Sequence, residues 1–476
     1  MVNHNRIDKT TIQIILQPMN KLTLCQHDYR NYFISGLAGL MALSSSCANK
    51  NNDNIKPNFI IIFADDMGYG DLACYGHPSI KTPNLDKMAE EGIRLTSFYA
   101  AASVSTPSRA GLLTGRYPIR NAPNNFGPES KDGLPLTEIT IADILDNEGY
   151  KTMAIGKWHL GHMPEYLPIS RGFDAFYGLP YSNDMILPWC PWLTENHKLE
   201  LYIDSVPIRE IGFEQDNLTV DYTEKAIEFI RSSSTKPFFL YLAHSMPHLP
   251  VSTSGAFRGK SNAGLYGDVI QTIDWSTGEI LNTLKDLGID RNTMVIFASD
   301  NGPWHNLPER MLQRGVEPYH TGSTGPLRGA KGTTYEGGFR VPGIIRWPEQ
   351  IPANQVSDGL ATTIDLFATI VQIAGGTLPD DRTIDGNNIL KFLKEEEETP
   401  THRFFYHAGN RLEAVRIDNW KLRNTKSAGI ELFDLQLDPA EKYNLAEKNP
   451  EIKERLLKEM LDFANETNAG TETDEN

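Results

Sequence analysis

The run 59–64 (FIIIFA) contains no polar position. A strand with one wet face alternates apolar and polar side chains. A strand without that alternation is buried on both faces and needs a layer of structure above and below it. Two more such runs follow at 238–243 (FFLYLA) and 294–298 (MVIFA). Segments with helical spacing of apolar residues lie around them, at 83–91, 139–148, 219–232 and 266–287. This alternation predicts an α/β fold with a large, mainly parallel sheet flanked by helices. Near Thr399-Pro400 the pattern changes. Short segments at 404–407, 413–417, 420–423 and 432–434 predict a small antiparallel sheet, closed by a helix over 450–465. The main domain is placed at 56–385 and a C-terminal subdomain at 386–476.

The chain has 476 residues and a formal net charge of -16, part of it in the Glu395–398 run and the tail. This argues against nucleic acid as a partner, because phosphate binding needs a basic face. A small anionic substrate is compatible with it, since a local cluster of cations can sit inside an acidic protein. Of the four cysteines, Cys25 and Cys47 precede the main domain. Cys74 and Cys190 lie within it, as one bridge or as two free thiols.

The N-terminus reads as an export signal over 1–47. The apolar run 33–43 (FISGLAGLMAL) follows Lys21 and Arg30 and precedes Ser44, Ser45, Ser46 and Cys47. It is too short to span a bilayer, and Met19 is an alternative start. Cys47 after small residues resembles a bacterial lipoprotein signal, although Leu43 stands one place too far away. Lipidation at Cys47 and plain cleavage both remain open. The polar stretch 48–55 suits a tether. The expected location is the periplasm, or the outer membrane through a lipid anchor.

Asp65-Asp66 follow the first strand and Asp300-Asn301 follow the third. Ligands of open α/β sheets bind beyond the carboxyl ends of the strands. Three carboxylates and an amide there would make an oxygen-only site suited to Ca²⁺ or Mg²⁺ rather than Zn²⁺. The plainer reading of an Asp pair after a strand is a turn or helix cap.

Residues 105–115 (STPSRAGLLTG) resemble the signature of the sulfatase family, in which Cys or Ser leads into x-P-S-R and then L-T-G. Read locally, the same segment is a helix start, with Ser/Thr capping and Pro in the first turn. Such a helix N-terminus would also face an anionic substrate. Further matches come in the family's order: 156–161 (GKWHLG), 181–184 (YSND), 247–250 (PHLP), 329–338 (GAKGTTYEGG) and 431–446. The resemblance spans about 56–446 and is nearest the arylsulfatase A and N-acetylgalactosamine-6-sulfatase branch.

This resemblance implies an alkaline-phosphatase-like fold and hydrolysis of sulfate esters. It implies that Ser105 is oxidised to formylglycine (3-oxoalanine) by a radical maturase that works without oxygen, which points to an anaerobic bacterial host. Asp65, Asp66, Asp300, Asn301 and residue 105 would bind one divalent cation, Ca²⁺ first and Mg²⁺ second. Arg109, Lys157 and Lys331 would neutralise anionic charge, and Ser182 would support the sulfate. His159 would take the proton that releases sulfate, and His248 would protonate the departing alcohol. The implied substrate is a sulfated carbohydrate of galactose or N-acetylgalactosamine type, cleaved from its end.

His77, His162, His244, His305 and His320 are assigned no role. The insertion 304–320 is longer than the family's version and is a candidate wall of the substrate pocket. Two other readings stand beside this one: a formylglycine-dependent phosphoesterase or phosphonate hydrolase, and a non-catalytic lipoprotein that binds sulfated glycans.

Overall fold

The structure is a computed structural model, and residues 56–471 are described. The export segment, Cys47 and the polar tether lie outside the described residues. Among the described residues no helix is long and apolar enough to cross a membrane.

The apolar runs form the middle of a ten-stranded sheet. Its strands, in chain order, are β1 (Asn58–Ala64), β2 (Ile93–Leu95), β3 (Lys151–Lys157), β4 (Ala175–Leu179), β5 (Glu200–Ile203), β6 (Val206–Glu210), β7 (Phe238–Ala243), β8 (Thr293–Ser299), β9 (Gly343–Arg346) and β10 (Gln355–Ser357). In space they run β10-β2-β9-β8-β1-β7-β3-β4-β5-β6. The five strands from β8 to β4 are mutually parallel, and antiparallel neighbours extend the sheet at both sides. Every residue of β1, β7 and β8 is buried, as the unbroken hydrophobicity requires. Two apolar clusters, one on each face, sandwich the sheet: Phe59, Ile61 and Phe63 belong to one, Ile60 and Ile62 to the other.

The expected helices appear at Pro83–Glu90, Ile141–Asn147, Leu218–Ser233 and Gly264–Asp286. Strand β3 (KTMAIGK) was not anticipated, because lysines at both ends and a central glycine dilute its apolar signal. Gly156 in it is obligatory: its φ is +97°, and a Cβ there would meet the Ala243 carbonyl oxygen at 1.8 Å. The backbone turn at Gly156 directly precedes Lys157.

The C-terminal expectation also holds. Four strands, Arg403–Ala408, Arg411–Ile417, Trp420–Thr425 and Gly429–Asp434, pair antiparallel in sequence order. Helix Pro450–Thr467 packs on this small sheet through Leu456, Met460 and Phe463, the last stacking on Phe405 with ring centroids 3.8 Å apart. Cys74 and Cys190 are both free, which resolves the open alternative against a bridge.

Candidate active site

Each of the five parallel strands ends on one rim of the sheet, and each delivers a candidate residue there. Ala64 of β1 pairs with Ser299 of β8, so Asp65-Asp66 and Asp300-Asn301 emerge side by side. The Asp300 amide donates to the Ala64 carbonyl at 3.0 Å, and the Asp66 amide donates to Asp300 Oδ1 at 3.0 Å. Lys157 is the last residue of β3. Ser182 follows β4 and His248 follows β7. Asp66 and His159 adopt left-handed backbone, with φ of +65° and +59°. Such geometry in a non-glycine residue costs about 1–3 kcal/mol and persists where surrounding structure demands it.

Ser105 is the first residue of helix Ser105–Thr114 rather than its cap. That position belongs to Val104, whose side chain caps nothing, so the expected Ser/Thr capping is absent. The Ser105 hydroxyl instead accepts from Arg109 Nε at 2.9 Å, one helical turn on. The same guanidinium donates through Nη1 to the Lys157 carbonyl at 2.9 Å and through Nη2 to Asp300 Oδ2 at 2.9 Å. Arg109 thus ties the helix start to two strand ends while completely buried.

The cations and carboxylates pair off. Lys157 Nζ lies 2.7 Å from Asp65 Oδ2 and donates to Ser182 Oγ at 3.1 Å. Lys331 Nζ lies 2.8 Å from the Asp66 carboxylate. Asn301 Nδ2 donates to Asp66 Oδ1 at 2.6 Å. Lys331 sits on a loop tied to both halves of the site: its amide donates to the Pro303 carbonyl, and the Gly332 amide to that of Ser103.

Burial dominates the ionisation of these groups. It pushes the Asp66 carboxyl up to about 7, with Lys331 opposing and the Asp65 and Asp300 charges adding to the rise. For Asp65 the burial effect is outweighed by Lys157, Arg109 and Lys331, which hold it below the ordinary carboxylate range. Burial also lowers Lys157, against the attraction of Asp65. Both histidines are held well below their ordinary value, His159 by burial with Lys157 and Arg109, His248 by burial with Lys331 and Lys157. They are therefore neutral bases near pH 7 before substrate enters. The other ring nitrogen of His248, Nδ1, lies 2.6 Å from the Leu249 carbonyl. Donating its proton there leaves a lone pair on Nε2, 3.6 Å from Asp66 Oδ2.

A divalent cation fits this arrangement. Asp65 Oδ1 and Asn301 Oδ1 are buried acceptors with no hydrogen-bond partner among the described residues. An unmet buried acceptor costs about 1–3 kcal/mol, and a hard cation would satisfy both. Asp65, Asp66 and His248 each offer a ligand atom within 4.8 Å of one another. The three carboxylates balance Arg109, Lys157 and Lys331, so a bound divalent ion would leave the site positive, as an anionic reaction requires.

Asp65, Asp66, Ser105, Arg109, Lys157, His159, Ser182, His248, Asp300, Asn301 and Lys331 fall in this one cluster, and Cys47 lies outside the described residues. His305 bonds the Gly322 carbonyl and His320 accepts from the Glu317 amide, which are structural tasks. One neighbour went unrecognised: Asp184 is buried, raised by that burial, and within electrostatic reach of Lys157 and Lys331. It stands in the YSND segment, where the signal was present.

Comparison with known proteins decides the family. The sulfatase family model matches residues 57–376, and the model for the N-sulphoglucosamine sulphohydrolase C-terminal region matches 330–466. The chain belongs to the sulfatase family. This sulfatase is a sulfuric ester hydrolase with the alkaline-phosphatase-like fold. It is 41% identical to N-acetylgalactosamine-6-sulfatase of Rattus norvegicus over 384 residues, covering 77% of this chain and 71% of that protein. It is 37% identical to human arylsulfatase G over 486 residues, covering 90% and 91%. The crystal structure of the PsFucS1 sulfatase from Pseudoalteromonas sp. superposes with a TM-score of 0.76 at 28% identity, covering 86% of this chain and 90% of that one.

Proposed function

We propose that this sulfatase hydrolyses sulfate esters of sugars at chain ends, of galactose or N-acetylgalactosamine type, after export to the periplasm or the outer membrane. The carrying observation is the buried cluster in which Arg109 holds Ser105 Oγ beside three carboxylates, two lysines and two neutral histidines. The likeness to N-acetylgalactosamine-6-sulfatase supports the sugar class.

Ser105 would act as formylglycine, produced by a radical maturase that removes two hydrogens from its side chain. Hydrated, that side chain would supply two hydroxyls: one would attack sulfur as the bond to the alcohol oxygen breaks, and deprotonation of the other would expel sulfate and restore the aldehyde. Asp65, Asp66, Asp300 and Asn301, with an oxygen of residue 105, would hold one divalent cation, Ca²⁺ or Mg²⁺, which would supply Lewis acidity to the site. The chain's own groups do the rest. Lys157, Lys331 and Arg109 hold charge that grows on the sulfate oxygens, and Ser182 orients Lys157. His248, neutral when empty, would take a proton from solvent at Nε2 as the anionic ester enters and give that proton to the leaving alcohol. His159, with both ring nitrogens buried and unpartnered, is free to take the proton that releases sulfate.

The test is mass spectrometry of the peptide spanning Ser105, with turnover of 4-nitrocatechol sulfate and of defined sulfated monosaccharides. Protein matured with the maturase should lack about two hydrogens at Ser105, a figure set by the oxidation, and should turn over. Unmatured protein should be nearly inert and Ser105→Ala inert in any host. Full activity of unmodified Ser105 protein would refute the mechanism. Activity confined to internal sulfates of long polymers would refute the chain-end reading.

A further inference from the structure

The insertion that follows Gly302 brings a second cationic centre beside the catalytic one. Trp304 is its first large residue. The Trp304 and His248 ring centroids are 5.8 Å apart, and Lys331 Nζ lies over the Trp304 ring at 5.2 Å. One side of this indole therefore belongs to the place where the alcohol leaves. Arg310, in the same insertion, lies over Trp304 at 5.8 Å and over Trp192 at 5.0 Å. Its Nε donates to the Trp189 carbonyl at 2.7 Å, which fixes the guanidinium plane. No carboxylate pairs with this guanidinium among the described residues, and its exposed neighbour Glu309 makes no ion pair with it. Trp192 is 63% exposed.

Arg109, Arg120, Arg346 and Arg423 all meet carboxylates. Arg310 instead lies against two indoles and is anchored through one nitrogen, and among the described residues its remaining N–H groups meet no carboxylate. A planar fork held in that way matches a carboxylate or sulfate bidentately. Stacking on indole faces keeps the group preorganised, so little rotamer freedom is lost on binding.

We propose that Arg310, held between Trp192 and Trp304, binds a second anionic group of the substrate, so that this sulfatase prefers sugars carrying another sulfate or an adjoining uronate. The proposal rests on the sulfatase reading of the neighbouring site. Trp304 then separates two anion positions, the scissile sulfate at Lys331 and His248, and the retained anion at Arg310.

The experiment uses matured, metal-loaded enzyme and measures kcat/KM for four substrates: 4-nitrocatechol sulfate, N-acetylgalactosamine 6-sulfate, N-acetylgalactosamine 4,6-disulfate, and a disaccharide with N-acetylgalactosamine 6-sulfate next to a uronate. Wild-type enzyme should favour the disulfate or the uronate disaccharide over the monosulfate, and which one wins identifies the anion. In Arg310→Ala that preference ratio should fall about tenfold to hundredfold, the range expected for charge-assisted hydrogen bonds, through KM. Arg310→Lys should recover part of it, and raising ionic strength should erode it in the wild type. Trp192→Ala, at an exposed position, should also lower the ratio and serves if Arg310→Ala fails to fold. No preference in the wild type, or an equal loss on all four substrates, overturns the proposal. Absence of turnover on every sulfate ester by wild-type enzyme would instead refute the sulfatase reading.

Discussion

Lys421 is the group whose removal should reveal how the C-terminal sheet supports the active site. Its ammonium is completely buried, 3.0 Å from Glu336 Oε1 and 2.8 Å from Glu441 Oε1. Glu336 opens the short helix that follows the Lys331 loop, and its amide donates to Glu441 Oε2 at 2.8 Å. Lys421→Met keeps the volume of the side chain and removes the charge. Glu336 retains the Tyr99 and Tyr406 hydroxyls and Arg340. Among the described residues the Glu441 carboxylate keeps one backbone N–H, that of Glu336. Breaking a buried ion pair from one side costs about 3–5 kcal/mol, most of it the stranded charge, and here that charge is on Glu441. Urea unfolding followed by circular dichroism should show a loss of that size at pH 7, and Lys421→Met with Glu441→Gln should regain most of it.

The pH dependence has a definite sign. Burial and the Glu336 charge raise Glu441 above its ordinary value, so the folded state favours its protonated form, and stability from that form declines as pH rises. The cost of Lys421→Met should therefore be smaller at pH 5 than at pH 8. Glu336 is the opposite case: despite burial, Lys421 and Arg340 bring it from 4.5 down to about 2. Its contribution is present above about 4.5 and lost as pH falls toward about 2. A loss below about 1 kcal/mol at pH 7, or a double variant no better than the single one, would refute this account.

Two further predictions concern the metal and the N-terminus. Chelation should abolish turnover, Ca²⁺ or Mg²⁺ should restore it better than Zn²⁺, and Asp300→Ala should bind no cation in a calorimetric titration; full activity after exhaustive chelation would contradict the site. If Cys47 carries lipid, the mature protein should partition into detergent and Cys47→Ala should be released as soluble material, since buried acyl CH₂ groups contribute about 0.8 kcal/mol each; equal solubility of the two forms would remove the anchor.

Much of this protein is readable without its structure because its strongest signals are local. A short run such as FIIIFA, rich in β-branched residues, reads as a strand covered on both faces, and a strand ending in Asp-Asp places carboxylates at the sheet's rim. The 105–115 segment carries its chemistry in sequence order, since helical spacing sets Ser105 and Arg109 on one face. Other features depend on contacts between distant segments. Strand β3 lacks a hydrophobic pattern and becomes a strand because β7 and β4 flank it. Ser105 reads as a helix cap until Arg109, anchored by Asp300 and Lys157, claims its hydroxyl. The free state of Cys74 and Cys190, the burial that makes His159 and His248 neutral, and the stacking of Arg310 between Trp192 and Trp304 were likewise decided in three dimensions. Periodicity and short motifs report which faces a segment must bury and which groups it carries. Charge balance, desolvation and stacking depend on what the rest of the chain brings alongside, and no local pattern encodes that.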